Sequence, residues 1–233
     1  MHGILFDLDG TLLDLDIQVF LRRYFGAMSE MTARHFPGLD TMPSILASTE
    51  AMQRPHPGLT NRDVFCEDFL ERTGVDLTQH WDVFDEFYAD VFPTLGDGYK
   101  PMPGAREAVE AALDLGLKVA IATQPIFPRA AVDARMAWAD VADLPVHVVT
   151  TYEYMHACKP QAAYFRETAE MLGCAPAECL MVGDDRGLDL PAADTGMRTF
   201  YVGGATGTSA DFSGPLTELP HLLHRLTGAG VEL

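Results

Sequence analysis

Two patterns of apolar residues divide the chain at about Gly104. After this glycine, short apolar runs alternate with segments that repeat apolar residues at helical spacing. The predicted strands are 118–123, 146–150, 180–183 and 198–202. The predicted helices are 105–115, 129–139, 161–172, 190–194 and, after a loop at 203–214, a last helix that Thr217 caps. Strands that alternate with helices are typical of a parallel sheet covered on both faces, and we therefore predict an α/β fold.

Before Gly104, the apolar run at 3–8 predicts one buried strand. Residues 15–99 have helical spacing instead and are too long for an ordinary crossover between strands. The predicted helices are 17–36, 42–52, one that Thr60 or Asn61 caps and Gly74 ends, and one that Thr78 caps, with an apolar stripe at 81–91. We therefore predict a core domain of 1–14 and 100–233 and an inserted all-helical subdomain at 15–99. Linkers around Asp14 and Gly98 would let this insert move.

Composition and charge narrow the class of protein. The chain has 233 residues, of which 48% are hydrophobic, and it has no apolar run long enough to span a bilayer. The start leads straight into a predicted strand without a signal-peptide core, so we expect a cytoplasmic protein. A net charge of −18 argues against nucleic acid and anionic membranes as partners. An anionic substrate would need local positive charge from a divalent cation, a lysine or backbone N–H groups.

Two carboxylates, Asp7 and Asp9, stand at the end of the first predicted strand. Residues i and i+2 of a strand point to the same side, so the pair projects together, and its repulsion requires a cation or a shared proton. Gly10 allows a sharp turn whose N–H groups would donate hydrogen bonds to an anion. A plain Asp-Gly surface turn is the alternative, but the carboxyl end of a parallel strand favours a functional site.

Further polar residues end or follow the later predicted strands. They are Thr123 and Gln124, then Lys159, then Asp184, Asp185 and Asp189. Each has a simpler explanation by itself: a helix cap for Thr123, a surface lysine for Lys159, and a solvated loop for the acidic run. The carboxyl ends of parallel strands meet at one edge, so their succession favours a single site. The four cysteines form no C-x-x-C pair, and we expect no zinc site.

These residues, in this order, resemble the four motifs of the haloacid dehalogenase-like (HAD) hydrolases. The matching motifs are Asp7-Leu8-Asp9-Gly10-Thr11, Thr123, Lys159-Pro160, and Gly183-Asp184 with Asp189. The resemblance implies a Rossmann-like parallel sheet of strand order 5-4-1-2-3. It also implies that the helical insert is a cap of the family's first insertion type.

The resemblance further implies a phosphatase reaction on a small phosphorylated metabolite. Asp7 would be the nucleophile that forms an aspartyl-phosphate, and Asp9 would act first as general acid and then as general base. Mg²⁺ would be held by Asp7, the Asp9 backbone carbonyl and Asp184. The phosphoryl oxygens would be bound by Thr11, Thr123, Gln124 and Lys159. The residues that orient the metal's waters or Lys159 would be Asp185 and Asp189.

Two positions depart from the family pattern: Gln124 stands where asparagine is common, and Asp185 where a small residue is usual. The presence of Asp9 weighs against the dehalogenase branch, which the resemblance suggests lacks that acid. Cap residues would select the substrate, and the irregular segment with Arg54 and His56 is the first candidate. Other cationic side chains of the cap are Arg22, Arg23 and Arg62.

Three alternatives remain open. A phosphomutase or phosphotransferase would use the same scaffold and differ only in the acceptor of the phosphoryl group. A non-catalytic protein would keep the site for phosphate sensing or partner binding, although every catalytic position holds a competent residue. A receiver-type signalling domain is disfavoured by the early position of Asp7 and Asp9 and by the large insert. No sequence feature indicates an oligomeric state.

Overall fold

The computed structural model describes residues 1–204, 207 and 209–228. Its strands in chain order are β1 (Gly3–Phe6), β2 (Leu13–Asp14), β3 (Lys100–Pro101), β4 (Lys118–Ile121), β5 (Val148–Val149), β6 (Cys179–Gly183), β7 (Arg198–Val202) and β8 (Phe212–Gly214). A six-stranded sheet has the order β5-β4-β1-β6-β7-β8, and all its pairs are parallel. The predicted α/β class with a parallel sheet is confirmed.

The strand order contains the predicted order and extends it. Numbered along the core, β7, β6, β1, β4 and β5 are strands 5, 4, 1, 2 and 3. A sixth strand, β8, lies beyond β7 and pairs Phe212 with Phe200. The loop predicted at 203–214 is therefore wrong for 212–214. A short segment with a single apolar residue among small polar ones carries no strand pattern in the sequence.

Strand β1 lies at the centre of the sheet and sets the position of the first motif. Phe6 is in register with Ile121 on β4 and with Val182 on β6. The Asp7 N–H donates to the Val182 carbonyl at 2.9 Å, and the Ala122 N–H donates to the Phe6 carbonyl at 2.6 Å. Three strands therefore end side by side, which brings the residues that follow them to one edge.

The α-helices in chain order are α1 (Ile17–His35), α2 (Thr41–Met52), α3 (Asn61–Thr73), α4 (Trp81–Glu86), α5 (Ala105–Asp114), α6 (Arg129–Trp138), α7 (Ala162–Met171) and α8 (Leu219–Thr227). Side chains of β1 alternate between two apolar clusters. Ile4 and Phe6 pack in a cluster with residues of α5, α6 and α8, and Leu5 packs in another with residues of α7. Helices cover both faces, as predicted.

In the sequence, helices α1 to α4 fall between β2 and β3, which form a separate two-stranded ribbon. Strand β2 pairs antiparallel with β3, so the chain leaves and re-enters the core at one point. Phe20 of α1 is fully buried, and its ring centroid lies 6.2 Å from that of Phe127 and 6.3 Å from that of Trp138. One apolar cluster thus runs from the sheet into these helices. The subdomain boundary at 15–99 and its mobility stay predictions.

Two predicted helix caps are wrong. The Asp76 carboxylate caps a 3₁₀ turn at Leu77–Gln79 and accepts from both the N–H and the hydroxyl of Thr78, so Thr78 does not cap α4. Thr217 lies inside a 3₁₀ turn, Leu216–Glu218, that precedes α8. The cap of α3 follows the prediction, because Thr60 forms a capping box with Asp63. Among the helices that the structure describes, none has the length and apolar composition needed to cross a bilayer.

Candidate active site

The turn after β1 brings Asp184 against the first motif. Gly10 has a φ of 88°, and a Cβ at this position would collide with the Asp184 carboxylate, so only glycine fits here. The buried Thr11 hydroxyl donates to Asp184 Oδ1 at 3.0 Å. The structure therefore gives Thr11 the task of orienting Asp184, whereas the sequence predicted a phosphoryl ligand.

Lys159 joins the first motif to the last. Its side-chain nitrogen Nζ donates to Asp7 Oδ1 at 2.7 Å and to Asp189 Oδ1 at 2.6 Å, and the residue is 3% exposed. Burial lowers the pKa of Lys159, but the carboxylates of Asp189 and Asp7 outweigh that effect and hold the pKa above its ordinary value. Lys159 is therefore a permanent cation beside Asp7, as the sequence predicted.

Gln124 holds Lys159 through its backbone. The Lys159 N–H donates to Gln124 Oε1 at 2.9 Å, and Gln124 Nε2 donates to the Lys159 carbonyl at 3.2 Å. Gln124 therefore positions the lysine backbone; it also lines the active-site cavity, and its predicted binding of the phosphoryl group stays a prediction. Thr123 lines the cavity described below, and its carbonyl accepts from the hydroxyls of Thr150 and Tyr164 at 2.8 and 2.9 Å.

The acidic residues after β6 fall into two environments: Asp184 and Asp189 lie in a carboxylate cluster with Asp7, and Asp185 lies in a loop. Carboxylate oxygens of Asp7, Asp184 and Asp189 all lie within 4.8 Å of one another. Burial, and next Asp7, raise the pKa of Asp184 to about 6. Asp185 Oδ1 instead accepts from the N–H groups of Gly187 and Leu188 at 2.7 and 3.0 Å. Asp185 therefore shapes the loop, while Asp184 and Asp7 form the oxygen-rich pair that a hard divalent cation prefers.

A buried arginine, Arg135 of α6, completes the site and was missed by the sequence analysis. It is 1% exposed, its Nη1 donates to Asp9 Oδ2, and its guanidinium lies 4.7 Å from the centroid of the Phe127 ring. Burial raises the pKa of Asp9, Arg135 opposes this shift, and Asp7 adds to it. A signal was present in the sequence: Arg135 falls on the helical face that Ala131 and Val132 bury, where arginine needs a partner.

These side chains form the floor of a cavity of about 340 Å³. Asp7, Asp9, Asp184, Lys159 and Arg135 all line it. The rest of the lining is mainly apolar, with Leu15, Ile17, Leu21, Ile126, Phe127 and Leu188, and also includes the polar residues Gln53, Thr123, Gln124 and Asp185.

The structure does not bring the predicted cap residues to this cavity. Arg54 is exposed, and the two ring nitrogens of His56 pair with the Arg54 carbonyl and with Asn61 Oδ1. Neither lines the cavity, whereas the neighbouring Gln53 does. Of the other cap arginines, Arg23 donates to the Asp97 carbonyl at 2.9 Å.

We expect Arg135→Met to destabilise the protein by about 1–3 kcal/mol, because it leaves the partly buried Asp9 carboxylate without its partner. Urea unfolding measures this change. Arg129→Met is the matched control, since Arg129 lies on the same helix and pairs with Asp133 in the open, where an ion pair contributes below about 1 kcal/mol. Equal stability losses in the two variants would contradict the structural role of Arg135.

Comparison with known proteins places this site in a family context. A protein-family model described as haloacid dehalogenase-like hydrolase matches residues 1–194. Phosphatase MT3486 of Mycobacterium tuberculosis (strain CDC 1551 / Oshkosh) is 29% identical over 240 residues, which cover 99% of each chain.

Solved structures give the same fold at lower identity. A HAD phosphatase from Thermococcus onnurineus superposes with a TM-score of 0.60 at 22% identity, over 96% of this chain and 98% of the other. A 2-haloacid dehalogenase from Pseudomonas syringae pv. Tomato DC3000 gives 0.63 at 20% identity, over 97% and 100%. A putative beta-phosphoglucomutase from Thermotoga maritima gives 0.56 at 20%, over 97% and 100%. Since proteins named for three reactions share this fold, the fold alone does not select the reaction.

Proposed function

The chain belongs to the haloacid dehalogenase-like hydrolase family, and from this premise we propose that it is a Mg²⁺-dependent phosphatase that hydrolyses a small phosphomonoester. The observation that carries the proposal is the ion pair at the cavity floor, where Lys159 Nζ lies 2.7 Å from Asp7 Oδ1. A fixed cation beside a carboxylate nucleophile favours the approach of an anionic phosphoryl group. The name of the M. tuberculosis relative supports the same reaction class.

In the first half-reaction, the second carboxylate oxygen of Asp7 attacks phosphorus. A bond between this oxygen and phosphorus forms while the bond between phosphorus and the ester oxygen breaks, so an aspartyl-phosphate is left on Asp7. Lys159 holds the other oxygen, Oδ1, and thereby orients the attacking one. In the second half-reaction, water attacks phosphorus, the bond to Asp7 breaks, and inorganic phosphate leaves.

Asp9 moves the proton in both halves of this scheme. It gives a proton to the ester oxygen as the alcohol leaves, and it takes one from the attacking water afterwards. Burial and the neighbouring Asp7 raise the pKa of Asp9, which favours the protonated form needed first, and Arg135 opposes that shift. Arg135 also fixes the direction of the carboxyl group, because it binds Oδ2.

The donor set fits Mg²⁺. The Asp7 and Asp184 carboxylates, together with the Asp9 backbone carbonyl, would hold the ion, and Thr11 keeps Asp184 in place. Asp189 belongs to the same cluster, but it already accepts a hydrogen bond from Lys159. When bound, Mg²⁺ supplies positive charge that offsets the repulsion between Asp7 and the phosphoryl oxygens.

The test of this proposal is the release of inorganic phosphate from an aryl phosphate as Mg²⁺ is titrated. We expect activity to disappear with EDTA and to return with Mg²⁺. Asp184→Asn should raise the Mg²⁺ concentration for half-maximal rate by about tenfold or more, because it removes a charged ligand. Asp185→Asn is the matched control, since this neighbouring side chain binds backbone N–H groups of its own loop. Full activity in EDTA would contradict the metal requirement, and product analysis with added alcohols separates water from a hydroxyl acceptor.

A further inference from the structure

A second cavity adjoins the active-site cavity, between the helices α1 to α4 and the core residues Ile126, Phe127, Pro128 and Tyr152. It has a volume of about 70 Å³, and its walls are almost entirely apolar, with Phe25, Met28, Ile45, Phe65, Phe69 and Trp81 among them. Three residues line both cavities: Leu21, Ile126 and Phe127. Only this wall of apolar side chains therefore stands between the polar floor, with Asp7, and the apolar space.

The cations of the active-site cavity are already engaged with carboxylates. Lys159 pairs with Asp7 and Asp189, and Arg135 pairs with Asp9. Apart from Lys159 and Arg135, the cavity lining contains no lysine, arginine or histidine among the residues that the structure describes. A second carboxylate or phosphate on the substrate would thus find one free cationic donor, the buried Nη2 of Arg135 beside Asp9, and away from it the described lining would not compensate its desolvation with positive charge.

Away from the acidic and cationic residues, the cavity lining is mainly apolar and offers a sugar few partners, with Gln53 as the polar residue that the helices α1 to α4 contribute. Hydroxyl groups that lose water must find hydrogen-bond partners, or their burial weakens binding. The lining residues Leu15, Ile17 and Leu21 provide apolar carbon instead. Apolar groups gain free energy when they are buried against such a surface.

On the basis of the proposed function, we infer that the substrate is the phosphomonoester of an apolar alcohol. Its phosphoryl group binds at Asp7 and Lys159, and its aliphatic or aromatic chain packs against Phe127 and extends into the apolar cavity as the side chains of the shared wall move aside.

A chain-length series tests this inference. The probes are ethyl, butyl and hexyl phosphate, with phosphoglycolate and glucose 6-phosphate as anionic and polar comparisons, all with saturating Mg²⁺. We expect kcat/KM to rise with chain length, by up to about fourfold for each methylene that is fully buried. Hexyl phosphate should exceed both polar substrates by about tenfold or more. A flat series, or a preference for phosphoglycolate or glucose 6-phosphate, would overturn the inference and leave the phosphatase proposal intact.

A substitution that fills the apolar cavity provides a second, independent test of the inference. Thr49 of α2 lines the apolar cavity and not the active-site cavity. We expect Thr49→Phe to lower the ratio of the hexyl to the ethyl rate to near unity. Leu70→Phe is the matched control, because Leu70 lies on α3 and is 43% exposed, and it should keep the wild-type ratio. An unchanged ratio in a folded Thr49→Phe protein would contradict the inference, and absence of turnover with every ester in the wild type would overturn the phosphatase proposal itself.

Discussion

Asp7→Asn is expected to reduce phosphate release by about 10⁴-fold or more, which is the scale seen when an enzyme loses its nucleophile. The amide is almost isosteric with the carboxylate, but a neutral amide oxygen is a poor nucleophile and cannot form the acyl phosphate. The change should leave the fold intact, because Lys159 keeps its contact with Asp189 and the amide oxygen still accepts from Nζ. Steady-state rates with an aryl phosphate and saturating Mg²⁺ measure the loss.

A control variant and a search for the covalent intermediate test whether Asp7 is the nucleophile. Asp14→Asn is the matched control, since Asp14 is an exposed acid in the nearby ribbon and should keep its activity within about twofold. Acid-quenched wild-type protein should carry a covalently bound phosphoryl group during turnover, detectable by mass spectrometry, and Asp7→Asn should not. Substantial activity in Asp7→Asn, or phosphoryl transfer to another residue, would remove this mechanism.

The parts of the fold that the sequence predicted are those with a strong local pattern. Strand β1 and the turn at Gly10 are readable because an apolar run is followed by a residue that must adopt a positive φ. Strand β8 was not predictable, since it joins the sheet by pairing with β7 and has little apolar pattern of its own. Its formation depends on the neighbouring strand, which a local reading does not contain.

Side-chain partners were harder to predict than positions. Thr11 and Gln124 fall where the motifs place them, yet Thr11 binds Asp184 and Gln124 binds the backbone of Lys159. A motif fixes which residues meet at a strand edge, but the hydrogen-bond partner of each depends on distances of a few tenths of an ångström in the packed structure. The sequence therefore indicated which residues lie together, but it did not indicate the hydrogen bonds that Thr11 and Gln124 make in the folded protein.

Arg135 shows that a buried residue can be predictable from the sequence when its partner is not. Its position within an apolar helical stripe signals a buried cation, but its partner Asp9 lies 126 residues away in the chain. The sequence shows that a partner is needed and does not show which one. Arg54 was predicted to face the cavity but does not line it. An irregular cationic segment has the same sequence pattern whether or not it faces a site.

Lys159→Met is expected to destabilise the protein by about 3–5 kcal/mol, the scale for removing one partner from a buried ionic cluster. The substitution leaves Asp7 and Asp189 as neighbouring buried carboxylates with no cation between them. Lys118→Met is the control, because Lys118 is exposed at the start of β4 and should change stability by less than about 0.5 kcal/mol. Urea unfolding without Mg²⁺ measures both, so that the bound ion does not mask the loss.

The pH dependence of unfolding and a second substitution test whether Lys159 stabilises the fold through its charge. Burial raises the pKa of Asp189 and Lys159 counteracts this, so in Lys159→Met the pKa of the folded-state carboxyl rises further above its unfolded value. Such a group binds more protons in the folded than in the unfolded state, and stability therefore falls as pH rises through this window. Because the pKa of Asp189 in the wild type is itself raised to about 7, the deficit of the variant relative to wild type should be largest above this pH and should shrink as the pH falls toward 7. Adding Asp189→Asn should also recover part of the loss at neutral pH, because it removes one of the two unpaired charges. A deficit that is independent of pH and of Asp189 would show that Lys159 stabilises the fold through packing of its aliphatic chain and not through its charge.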